Sequence, residues 1–279
     1  METSIATAQV RVLTPQITPE EIDSRVTARR AEGFGLLGKL PFGRPRPEAV
    51  EVASRQTRHL PVWHLVGHAV YEYDRAREFR IDLSRPEVRY VVIGQQRLDP
   101  AHDERHIMLR GTEHVRDERN AEYEMDARTK ARHAAQWASN PATVAGSLSD
   151  IGAPGDTVDW PETPAAEALK PLLGEIAVAI DAERVDEERI DVTTLELLFR
   201  PILVVEYRYG EKSATSALDL VRGSWGDVPP ASGAAAPATL QELYAIDDPR
   251  LRELIGECAR PAEGAPASAL ERLRSVLGR

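Results

Sequence analysis

The chain has 279 residues, with Lys+Arg 35 against Asp+Glu 45, a formal net charge of −10; that balance argues against a general binder of nucleic acid or acidic membranes. At 42% hydrophobic and 29% charged it is too apolar for wholesale disorder, and no apolar run approaches the ~18–20 residues of a membrane span. One cysteine, Cys258, excludes an intramolecular disulfide framework and a cysteine-built zinc site.

The first residues carry Glu2 and no long apolar core, so no signal peptide is read and the expected setting is the cytoplasm. Thr18 predicts a helix cap over 19–32, with Pro19 at the first helical position and Glu21 three residues after the cap. Residues 33–47 hold four glycines and three prolines, too many breakers for an element interior. From Val50 to about Val92 the chain reads as strand. Trp63, Leu65, Ala69, Tyr71 and Tyr73 alternate there with Val62, His64, Val66, His68 and Val70. Two further strands are expected at 107–115 and 121–126, and the Ala/Arg-rich piece to Trp137 leans toward helix.

Prolines and glycines break every period over 140–164, which makes that segment the expected inter-domain linker. A helix near 165–180 and a second strand set from Ile190 to Leu220 follow. Residues 229–238 read as a flexible tether. Helices near 239–259 and 266–277 then present apolar faces: Leu251, Leu254 and Ile255 on the first, Leu270, Leu273 and Val276 on the second. The expected organisation is an N-terminal helix and Gly/Pro linker at 1–48 and a first β-rich module at 49–139. The linker at 140–164, a helix-plus-sheet module at 165–228 and a helical tail at 229–279 complete it.

Val50–Val88 can be set against Ile190–Trp225. Pro61 then faces Pro201, the YEYD of 71–74 faces the YRYG of 207–210, and Asp82-Leu83-Ser84-Arg85 faces Asp219-Leu220-Val221-Arg222. The match suggests a duplicated strand–turn–strand unit; the alternative is two unrelated hairpins sharing a pattern. The fold class expected is α+β, with two related antiparallel β-rich modules, each covered by a helix, plus a small C-terminal helical tail.

Arg44-Pro45-Arg46-Pro47-Glu48, then Leu60-Pro61-Val62-Trp63, then Asp219-Leu220-Val221-Arg222-Gly223 form a pattern that resembles a family of uncharacterised prokaryotic proteins. These share a Pro-x-Pro-Glu lead-in, a Pro-x-Trp strand and duplicated β-rich modules. The resemblance spans about 40–225 and departs from the pattern where Leu203 stands in the place of Trp63. It implies architecture and transfers no activity.

Gly33-x-Gly35-x-x-Gly38 fits the dinucleotide fingerprint by letter, but a helix precedes it where a strand is needed, so no cofactor is expected. In Gly38-Lys39-Leu40, Leu40 replaces the Ser/Thr of a phosphate loop. All seven histidines fall between 59 and 133. His64, His68, His102 and His106 are the metal-ligand candidates; His64 and His68 share a strand face but stand about 13 Å apart unless a bulge at Gly67 draws them together. The acidic run over 181–196 reads as a solvated helix end.

The leading functional reading is a non-catalytic interaction or assembly protein. Its partner would be another protein or a second copy, met through Leu251, Leu254, Ile255, Leu270, Leu273 and Val276. A metal-dependent hydrolase using the four histidines and a small-ligand sensor binding between the modules are the alternatives.

Overall fold

The computed structural model describes residues 1–6, 8–34, 45–85, 87–100, 105–262 and 268–277. The chain opens with β1 (Glu2–Ile5), β2 (Gln9–Leu13) and α1 (Pro19–Arg29). Thr18 and Glu21 form the expected reciprocal cap on α1. Then comes β3 (Glu51–Asp82), one continuous strand of 32 residues, followed by a small hairpin of β4 (Val91–Ile93) and β5 (Gln96–Leu98). The strand β6 (His106–Asp126) runs through the point where two strands were expected; no residue between 115 and 121 is a breaker. Short strands β7 (Arg132–His133), β8 (Ala142–Val144) and β9 (Thr157–Val158) precede α2 (Ala165–Ile176) and β10 (Val178–Ala179). Last are β11 (Arg184–Tyr209), β12 (Lys212–Asp219), β13 (Trp225–Gly226), α3 (Gln241–Tyr244), α4 (Asp248–Cys258), β14 (Arg260–Pro261) and α5 (Ser268–Leu277).

No helix forms before Trp137. Asp126 instead accepts the backbone N–H of Arg128 and Thr129, and buried Glu124 accepts those of Trp137 and Ala138, each at 2.7 Å. These carboxylates supply an alternative to helical hydrogen bonding.

The two strand sets do not make two sheets. β11 pairs antiparallel with β3 from Glu51 to Asp74, and the sheet runs β13-β12-β11-β3-β6-β7. It is mixed, because β1 and β2 lie parallel to β11 and β9 lies parallel to β3. Around the Leu60–Arg200 pair the two halves make matching bonds. Ala127 N–H donates to Pro61 O and Leu220 N–H donates to Pro201 O. Asp126 Oδ1 takes the N–H of residues 128 and 129, while Asp219 Oδ1 takes those of 221 and 222. Each turn closes on a residue of positive φ, Lys130 at 61° and Gly223 at 71°. The structural counterpart of Asp219 is therefore Asp126, not Asp82, since β3 and β6 extend far beyond β11 and β12.

All the layered helices lie on one face. α2 covers Trp63, Leu65, Ala69 and Tyr71 of β3, and α1 seats Val26 on Val205, Tyr207 and Leu218. Tyr71 donates its hydroxyl to Ile176 O in α2, and Tyr207 donates to Val26 O in α1. Gly67 brings no bulge of its own strand toward a ligand. It makes room for α2, because a Cβ there would stand 2.7 Å from Ile176 Cδ1 and 2.9 Å from Leu172 Cδ2. The irregular residue is Thr193, across on β11.

The C-terminal helices dock on their own chain. α4 packs against α2, α5 against α4, and β14 pairs with β10. Nor do 229–233 swing as a free tether. Arg58 donates to Pro229 O and Pro230 O, Arg128 to Pro230 O, and Glu162 accepts from Ser232 and Gly233. Among the described residues, no helix is long and apolar enough to cross a membrane.

Candidate functional site

Beyond Asp74, the last residue of β3 paired with β11, β3 and β6 continue as a two-stranded arm. Arg75 pairs with Glu113 at its base and Asp82 with His106 at its far end. Eight residues per strand carry it about 26 Å past the sheet. One face carries Arg110 donating to Glu78 at 2.8 Å. The opposite face continues the side that α2 covers farther back; Arg75 donates to Glu113 at 2.6 Å at its base, and Phe79 and Ile81 stand opposite Leu109 and Ile107 beyond them. No described helix covers it there, and of its apolar residues Ile107 is fully buried, Leu109 half-buried, and Phe79 and Ile81 exposed. Of the ten large apolar residues exposed among the described residues, six lie on the arm and its distal hairpin: Phe79, Ile81, Tyr90, Val92, Ile93 and Met108. Such a concentration marks a contact surface rather than ordinary scatter.

The arm also differs in charge. Residues 75–113 hold eight Arg and seven Asp/Glu, a net of +1, so the rest of the chain carries −11 of the total −10. A weakly basic, apolar projection stands on an acidic body.

On the sheet face turned away from the helices, His64 is buried between two carboxylates. Its Nδ1 lies 3.2 Å from Glu196 and its Nε2 3.0 Å from Glu122. Both ring nitrogens donate only in the imidazolium form. Burial works against that charge, but the bonds to Glu196 and Glu122 outweigh it and raise the His64 pKa above 6.5. Burial likewise opposes ionised Glu196, yet His64, Gln9 and Arg11 hold its pKa down to about 2. The cluster therefore ties β2, β3, β6 and β11 together.

The pH dependence follows from these directions. Glu196 stabilises fully above its ordinary 4.5 and loses that contribution as pH falls toward about 2. His64 stabilises fully below 6.5 and loses its contribution as pH rises through its raised folded value. Chemical unfolding across pH should show the pair's contribution complete between 4.5 and 6.5. His64→Gln should flatten the decline above that window; an unchanged alkaline limb would show that His64 does not drive it.

The histidine candidates are not brought together. His68 bonds Asn120 at 2.8 Å, four positions along from His64, and His106 sits at the end of the arm opposite Asp82. From position 64 to 82 is about 60 Å of extended chain. His102 lies outside the described residues. Among the described residues no three His, Cys, Asp or Glu side chains form a metal-holding group.

The apolar tail positions are core positions on this chain. Leu251, Leu254 and Ile255 are fully buried, Leu273 nearly so and Leu270 half-buried, while Val276 is exposed. The helical faces were visible in the sequence; α2 hosts that of α4, and α4 hosts that of α5. A cleft of about 540 Å³ lies between α4 and α5, lined by Pro249, Arg252, Gly256, Arg274 and Leu277, away from the β3–β11 boundary where the sensor reading placed a ligand. No family model, curated protein or solved structure matches the chain.

Proposed function

We propose that this chain is a non-catalytic interaction or assembly protein whose working surface is the β-arm. The observation that carries this reading is the arm itself: two strands leave the sheet and take most of the exposed large apolar side chains with them. An isolated two-stranded ribbon gains little stability on its own, so its length is better explained by contact than by folding. The acidic body acts as scaffold, and the His64 cluster and the docked tail stiffen it.

We also infer that the body descends from a duplicated unit of short strand, helix and hairpin. The matching turns at Asp126 and Asp219 and the matching tyrosines Tyr71 and Tyr207 support it. In this reading the units are intertwined, since α1 covers the β11–β12 hairpin and α2 covers β3 and β6. The modules at 49–139 and 165–228 then share one sheet. A single free cysteine, Cys258, agrees with a reducing cytoplasmic setting.

The test shortens the arm. Residues 77–111 are replaced by Asn-Gly, a two-residue hairpin turn between Ala76 and Thr112. The shortened protein should melt within a few degrees of the parent and lose its self-association or its bound partner, read by light scattering and by pull-down. An equally stable protein with unchanged mass and partners would overturn the arm's role.

A further inference from the structure

β6 pairs with β3 on one side, and on the other with β7 only at Glu124 and Met125. From Met108 to Tyr123 its outer edge has no strand beside it among the described residues. A long unpaired edge is a template for another strand. Resting on the interaction reading above, we propose that the partner is a second copy of this chain, joined by antiparallel pairing of the two β6 edges with the twofold axis at His114.

The register follows from backbone geometry and charge. In an antiparallel ladder the N–H and C=O of alternate residues point to the same edge. Two identical edges can therefore pair only residues of like parity, and the axis must pass through a residue rather than between two. An axis at Glu113 opposes Glu113 to itself and Arg110 to Arg116; one at Val115 opposes Glu113 to Asp117 twice; Arg116 and Asp117 each meet their own kind. An axis at Thr112 avoids like charges but uses a shorter length of edge. The axis at His114 overlaps 108–120 and opposes no two like charges. It sets Arg110 against Glu118 of the partner subunit twice, and Met108 against Asn120 of the partner subunit. Arg110 is 86% exposed and Glu118 46%, so each can exchange its in-chain partner, Glu78 and Arg116, for that contact.

The arm of one copy runs back along the base of its partner's, where Asp117 and Glu118 on β6 pair with Arg119 and Arg116 of their own strand. A twofold axis normal to the sheet keeps faces matched. The apolar strip of Phe79, Ile81 and Leu109 then lies on the side of the partner's helices, and the exposed Met108 enters the new ladder.

The full chain is measured by light scattering at increasing concentration, in low and high salt. The expected mass is twice 30.8 kDa. Glu118→Arg and Arg110→Glu should each raise the dimer dissociation constant about tenfold, from two symmetric cross-strand pairs, and the double variant should restore it. In a Cys258→Ser background, His114→Cys should cross-link dimers under mild oxidation, the paired Cα atoms standing about 4.5–5.5 Å apart. A chain that stays monomeric at its highest soluble concentration overturns this inference, and so does binding to phosphatidylserine vesicles without dimerisation. A dimer indifferent to the charge swap and to the His114 cross-link overturns it too. None of these touches the broader reading, which fails only if arm shortening changes neither mass nor partners.

Discussion

Asp159→Ala should destabilise the protein by about 3–5 kcal/mol, the usual cost of removing one member of a buried charge cluster. Its carboxylate is almost wholly buried and accepts Arg58 at 2.6 Å and Arg128 at 3.3 Å, two guanidinium groups that are themselves buried. Without Asp159, Arg58 keeps only the carbonyls of Pro229 and Pro230, and Arg128 keeps Asp126 and Pro230. The variant should be followed by urea unfolding at neutral pH and by limited proteolysis. Cleavage should move into 229–238, because the arginines that lash this stretch to the body lose their counter-charge. A loss below about 1 kcal/mol would mean that water reaches and screens the cluster.

That cluster also shows where sequence reading stops. Local chemistry was legible: Thr18 and Glu21 cap α1, and the apolar stripe of α4 is buried as its spacing implies. So was the likeness of Tyr71 to Tyr207 and of Pro61 to Pro201, whose hydroxyl and backbone contacts match. What failed was register over distance. Asp82 resembles Asp219 by its neighbours Leu and Arg, but the turn that makes Asp219 useful recurs at Asp126, beyond an arm that the pattern gives no reason to insert. Nothing near Asp159 predicts Arg58, because the pairing depends on β9 lying beside β3. His64 drew notice as a metal ligand for lack of its neighbours. Glu196 and Glu122 reach it only because β11 and β6 flank β3 at that register, and their bonds favour its protonated form. The arm has no signature of its own in the sequence. Alternating Arg, Glu and apolar residues read the same in a free ribbon as in the margin of a sheet.

Trp63→Ala should cost about 3–5 kcal/mol, as deletion of a buried aromatic side chain does. Trp63 is fully buried and stands between Leu197 of β11 and Met125 of β6. Its ring N–H donates to Thr163 O at 2.9 Å, one residue before Pro164, the cap position of α2. Truncation thus opens a cavity beneath the start of α2 and leaves a buried carbonyl unpaired. The two costs can be separated. Trp63→Phe keeps much of the volume and loses the bond, so its cost should exceed the bond's ~1 kcal/mol only by the smaller ring's packing deficit. Leu203, two residues after Pro201 as Trp63 is two after Pro61, is also buried but makes no such bond. Leu203→Ala should therefore fall below Trp63→Ala, within the ~2–5 kcal/mol range of leucine truncations. Urea unfolding with an unchanged denaturant slope is the measurement that ranks the three. If Trp63→Ala proved no worse than Trp63→Phe, the ring would contribute through its hydrogen bond alone, and α2 would be seated by Leu169, Leu172 and Leu173 without it.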